Sequence, residues 1–117
     1  MNSISINNGK ITIKVGIFLF KEDNCYIAYC PSLDLSGYDV TEQKAKDDFE
    51  YVLKDWLKSQ MDNKTLKQDL MAHGWKLTEE GGREPLLEDM PNRKTINKVV
   101  NLPEYIKSSI YTQLQYC

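Results

Sequence analysis

Two changes of hydrophobic period predict an α+β fold: an antiparallel sheet of three to four strands packed by one long helix, with a C-terminal strand–helix extension. Residues 1–30 alternate apolar and polar side chains, whereas from Thr41 the apolar residues recur at helical spacing. A stretch holding Gly81, Gly82, Pro85 and Pro91 then sets the tail apart. The 117 residues accordingly divide into an α+β domain at 1–79, a connector at 80–92, and an extension at 93–117 suited to oligomerisation.

The first strand is read from Ile4 and Ile6 alternating with Ser3 and Ser5, and Asn8-Gly9 is a type I′ turn signal. In the next run Ile11, Ile13, Val15, Ile17 and Leu19 share one face. The other face, Thr12, Lys14, Gly16, Phe18 and Phe20, starts polar and ends apolar. A polar turn at 21–24 leads to a third strand at 25–30, and three strands in succession predict a meander. Pro31 ends that strand because it has no backbone donor. Residues 32–39 read as a loop.

Ala45, Phe49, Val52, Leu53, Trp56 and Leu57 then form one apolar stripe, with Thr41 as N-cap and Glu42 favoured by the helix dipole in the first turn. A shorter helix is expected at 64–73, capped by Asn63 and stopped at Gly74, with Leu66, Leu70 and Met71 facing inward. Trp75 and Leu77 alternate with Lys76 and Thr78, a fourth short strand. In the tail, Ile96, Lys98, Val100 and Leu102 alternate with their neighbours, predicting a strand at 95–102. Pro103 and Glu104 fit a helix start, and Ile106, Ile110 and Leu114 its face.

Composition excludes more than it proposes. Fifteen basic and 17 acidic residues give a net charge of −2, so no overall field draws the chain to nucleic acid or membrane. Residues 1–6 lack a signal-peptide pattern, and the apolar run at 11–20 is broken by Lys14 and too short to span a bilayer. A cytoplasmic location is expected. Cys25, Cys30 and Cys117 form no zinc-ligand spacing with His73, the single histidine, and read as free thiols.

A metal-dependent nuclease would need carboxylates converging from strands, and the strand runs 11–20 and 25–30 carry none. Asp47, Asp48, Glu50 and Asp55 alternate with lysines on a helix and read as a solvated face. Gly81-Gly82 lacks the strand, lysine and helix of a phosphate loop, and His73 has no partner by spacing. No catalytic residue, metal or cofactor is expected. Among the aromatics, Trp56 belongs to the apolar stripe, Tyr26 and Tyr29 lie on opposite faces of one strand, and Tyr38 is the interface candidate by position.

Tyr26, Ala28, Pro31, Leu33, Gly37, Thr41, Glu42 and Ala45 occur in order within twenty residues. This set resembles the signature of the HicB-like antitoxins, Tyr-x-Ala-x-x-Pro-x-Leu followed by a Gly and a Thr/Glu/Ala helix start. The resemblance covers about residues 1–78 and departs at Asp39, Val40 and Lys44, where the family carries a Gly, an Asp and a Glu. It implies a partial ribonuclease-H-like fold without catalytic acids, binding and silencing a small RNA-cleaving toxin of the HicA type. Toxin contacts are expected at Ser32, Asp34, Ser36, Tyr38 and Asp39, and in the linker after Gly81. A homodimer or larger oligomer is expected through the tail. The alternatives are a dimeric DNA-binding regulator acting through its C-terminal strand–helix, and a stand-alone HicB-like domain of another role.

Overall fold

The computed structural model describes residues 2–7 and 9–115, so expectations resting on Asn8 and Cys117 lie outside it. Strands β1 (Ser3–Asn7), β2 (Lys10–Glu22), β3 (Cys25–Cys30) and β4 (Leu35–Asp39) precede helices α1 (Glu42–Asn63) and α2 (Leu66–Ala72). Then follow β5 (Lys76–Thr78), β6 (Gly81–Arg83), a 3-10 turn (Leu87–Asp89), α3 (Arg93–Val100) and β7 (Ile106–Gln115).

All seven strands form one antiparallel sheet built around β2. β1 pairs with β2 over 10–14 and β3 pairs with it over 18–22, while β7 runs unbroken beside 10–19. A strand has two edges, so β1 and β3 lie end to end on one of them and β7 holds the other. The expected meander is thus corrected: 13 residues of β2 are long enough to host two short strands in line. β4 extends the sheet beyond β3, and β6 and β5 extend it beyond β1.

The two-faced reading of β2 holds. Ile11, Ile13, Val15, Ile17 and Leu19 join Ala45, Phe49, Leu53 and Leu57 of α1 and Leu66 and Leu70 of α2 in the main core. On the opposite face Phe18 packs with Tyr29, Met90, Ile96 and Val99, and its ring meets Tyr105 edge-on at 5.4 Å between centroids. α3 covers only this end of the second face. Trp56 is half-buried at the border of the main core rather than inside it.

Several expectations are corrected. The sheet has seven strands, not three or four. Residues 35–39, expected as loop, are β4. α1 runs to Asn63, Lys64 closes it in a left-handed conformation (φ 57°), and α2 starts after Thr65, so Asn63 is not a cap. Met71 faces solvent, 63% exposed. The connector 80–92 contains β6, where a Cβ on Gly81 would come 2.0 Å from the Ile4 carbonyl oxygen.

The tail reverses its expected order: helix α3 first, then strand β7. In α3 the buried residues are Ile96 and Val99, a spacing of three that the alternation of Ile96, Lys98 and Val100 disguised. Ile106, Ile110 and Leu114 are four apart, which satisfies one helical turn and two strand repeats equally. The extended form wins because it gives β2 a partner along ten residues. The strand–helix that a DNA-contacting extension would have used is therefore not present in that order.

Candidate functional site

The segment after β3 is fixed from beneath. Pro31, Ser32 and Leu33 are buried, and Asp34 adopts φ 54°, a left-handed turn that aspartate tolerates better than most side chains. The Tyr29 hydroxyl donates to Asp34 Oδ1 at 2.7 Å, and Asn92 Nδ2 donates to the Tyr29 oxygen at 2.5 Å and to the Pro31 carbonyl at 2.9 Å. Burial, reinforced by the Asp34 bond, pushes the Tyr29 pKa up, so the phenol stays a neutral donor. Asn92 Oδ1 is buried without a hydrogen-bond partner among the described residues.

Ser32 is fully buried. Its Oγ donates to Glu84 Oε2 at 2.6 Å, its carbonyl accepts from Trp75 Nε1 at 2.9 Å, and the Cys30 sulfur lies 3.4 Å from its Oγ. Its side chain therefore has no access to a partner. The same Glu84 carboxylate accepts from Asn2 Nδ2 at 2.8 Å and from the Gly16 N–H at 3.1 Å. Residues 15–17 are where β2 has neither β1 nor β3 beside it, and Glu84 fills that gap in the ladder.

Of the remaining expected contact residues, Ser36 and Tyr38 share a surface, whereas Asp39 has the parity of Gly37 and lies on the α1 side of β4. Ser36 and Tyr38 alternate along β4 with Gly37, which faces α1 so closely that a Cβ there would sit 2.4 Å from Phe49 N. Ser36 and Tyr38 therefore point away from α1. They line a shallow hollow with Ile27, Cys25, Glu22 and Asp23, the last two from the end of β2 and the turn after it. Tyr38 is 68% exposed. Its N–H is held by Asp48 Oδ2 at 3.0 Å, which ties β4 to α1. Asp34 is exposed, and half-buried Asp39 pairs across the sheet with Tyr26 and bonds the Val40 N–H at 2.7 Å. The Tyr38 surface thus carries one protruding aromatic ring, with Glu22 and Asp23 beside it and Asp34, held by Tyr29, further along the same face.

Glu22, Asp23 and Ile27 were not singled out from the sequence. A turn and the middle of a strand reach Tyr38 only through the β3–β4 ladder, where Ile27 faces Tyr38, and no local pattern announces that pairing.

The motif residues are accounted for by folding. Ala28 and Leu33 are in the core, and Ala28 sits opposite Gly37. Tyr26 packs half-buried against the core, and Lys21 Nζ lies 6.0 Å from its ring centre. Thr41 Oγ1 accepts from the Lys44 N–H at 3.1 Å as an N-cap, Glu42 lies in the first turn, and Ala45 is buried.

Among the described residues no three His, Cys, Asp or Glu side chains are grouped to hold a metal ion, and no helix is long and apolar enough to cross a membrane. The His73 ring contacts its own helix, with Nδ1 2.9 Å from the Asp69 carbonyl oxygen and 3.6 Å from Asp69 Oδ2. Comparison with protein-family models, curated proteins and solved structures gives no match.

Proposed function

We propose that this chain is an antitoxin-like binding module that occludes a small, basic, RNA-cleaving toxin. The observation that carries the reading is the exposed Tyr38 ring on β4, with Glu22 and Asp23 beside it and Asp34 further along the same face. An aromatic anchor within a single-signed rim suits a cationic partner: the ring supplies contact area at low entropic cost, and the acids steer encounter. An RNA-cleaving protein carries positive charge where it grips phosphates, so an acidic cover competes for the same groups. The ordered residues from Tyr26 to Ala45, which resemble the HicB-like signature, support the same choice of partner.

Occlusion demands rigidity rather than chemistry of its own. The scaffold under Tyr38 supplies it, through the β3–β4 ladder, the Asp48 bond and the close seating of Gly37 on α1.

The test is co-expression with the product of a short, basic reading frame beside this gene. The pair should co-purify, growth should be restored, and added chain should stop RNA cleavage by the isolated toxin. Absence of such a neighbour, together with failure of any small ribonuclease to co-purify from the native host, overturns the reading.

A further inference from the structure

The outer edge of β7 is the longest unpaired backbone edge among the described residues. We propose that a second copy of this chain pairs with it, β7 to β7 about a twofold axis, so that one antiparallel sheet runs through the dimer.

Strand parity identifies the free groups. The two-residue turn after Glu22 closes on the Glu22–Cys25 pair, and the Gly16 N–H points at Glu84 in the gap between β1 and β3. The even-numbered residues of β2 therefore turn their backbone groups to that edge, and the odd-numbered ones to β7. In the register Val15↔Ile110, the even residues of β7 answer β2. Lys107, Ser109, Tyr111, Gln113 and Gln115 direct their N–H and C=O outward, and their side chains are all exposed.

The other edges are protected. β5 is three residues long, and β4 is five, with the outward Tyr38 N–H already bonded to Asp48. β7 is ten residues long, about 33 Å of strand, with no proline and a single charge, Lys107. Soluble proteins seldom leave such an edge open.

A second copy is the occupant because the strand complements itself. In antiparallel pairing centred on Ile110, Ile110 meets its counterpart, Ile106 meets Leu114, and Ser108 meets Thr112. On the other face Lys107 meets Gln113 and Ser109 meets Tyr111. Apolar residues face apolar residues and no like charges oppose. Ile110 falls at a non-hydrogen-bonded position, where side chains approach most closely. Ile106, left 51% exposed in the single chain, is covered by Leu114 of the partner copy. Centring on Tyr111 instead would set Ser108 against Leu114 and Ile110 against Thr112.

The proposal is independent of any toxin, and its test is mass by light scattering. The wild-type chain at tens of micromolar should weigh twice 13.6 kDa. Gln113→Lys places a lysine opposite Lys107 twice per dimer and should raise the dimer Kd roughly tenfold, whereas Gln113→Glu should lower it. Lys107→Glu added to Gln113→Lys should restore pairing. Ser109→Pro removes one outward donor without touching the β2 ladder and should give a monomer with an unchanged circular dichroism spectrum. A wild-type monomer, which leaves the edge to a strand of another protein, overturns the proposal. So does a dimer that Gln113→Lys and Gln113→Glu leave unchanged or shift alike.

Discussion

Gly16 donates its N–H to the carboxylate of Glu84 across 3.1 Å, joining the middle of the central strand to a residue 68 positions later. Without that bond the long strand would carry an orphan donor where one short neighbour ends and the next begins. Asn2 and Ser32 close on the same carboxylate. Glu84 thus fastens the β1 end, the centre of β2 and the turn after β3 at one point.

Removing it should be costly. Glu84→Ala leaves three donors short of an acceptor and should lower stability by about 2–3 kcal/mol, read from urea unfolding. Glu84→Gln keeps one acceptor oxygen but turns an amide donor towards existing donors, and should fall between the two. Glu88→Ala, on the exposed 3-10 turn, should stay within about 0.5 kcal/mol of wild type. Equal effects at positions 84 and 88 would refute the role of the carboxylate.

Gly37→Ala should destabilise by about 1–3 kcal/mol or more, since the added methyl meets Phe49 N at 2.4 Å and Phe49 Cα at 2.6 Å. These are helix backbone atoms, so relief requires α1 to lift from β4. The neighbouring Ser36→Ala, on the open side, is the control and should be neutral. A thermal midpoint unchanged by Gly37→Ala would show that α1 is free to move there.

Alkaline pH should destabilise the fold through Cys30. Complete burial pushes the Cys30 thiol from 9.0 up to about 12, with the Glu84 carboxylate adding to the effect. Between those values the unfolded chain has lost the proton that the folded chain keeps. Stability present below pH 9.0 is therefore lost as pH rises, at up to about 1.4 kcal/mol per pH unit for this group. Cys30→Ala should flatten that slope in thermal melts taken across the window. Iodoacetamide should label half-buried Cys25 in the native protein well before Cys30. Native-state labelling of Cys30 at the rate of Cys25 would contradict its burial.

What the sequence made legible follows from how local each signal is. The two faces of β2 and the stripe of α1 repeat over three or more periods, so one reading fits and the structure adopts it. The tail is short, and its apolar residues at 106, 110 and 114 suit two periods at once. Only the long partner β2 decides between them. β4 escaped because Ser36 and Gly37 weaken strand propensity, and its pairing with β3 compensates. Ser32 looked like a surface loop residue, since nothing in the chain nearby reveals that Glu84 and Trp75 enclose it. Glu84, whose carboxylate accepts from three donors, sits among Gly82, Arg83 and Pro85 in what reads as connector.

The surface around Tyr38 yields the prediction that bears on function. Tyr38→Ala removes a ring that is 68% exposed and supports no core, so the thermal midpoint should stay within error of wild type. If the ring is the anchor for a basic toxin, the same substitution should cost about 2 kcal/mol of binding, roughly a thirtyfold rise in Kd. Glu22→Lys with Asp23→Lys should act differently, slowing association and weakening its dependence on salt while changing dissociation little. Tyr51→Ala, an equally exposed tyrosine on α1, is the control for losing an aromatic surface group. Calorimetry for affinity and stopped flow for association separate the two effects. If Tyr38→Ala and Tyr51→Ala bind the toxin as tightly as wild type, the β4 surface is not the contact, and the anchor must be sought on another face.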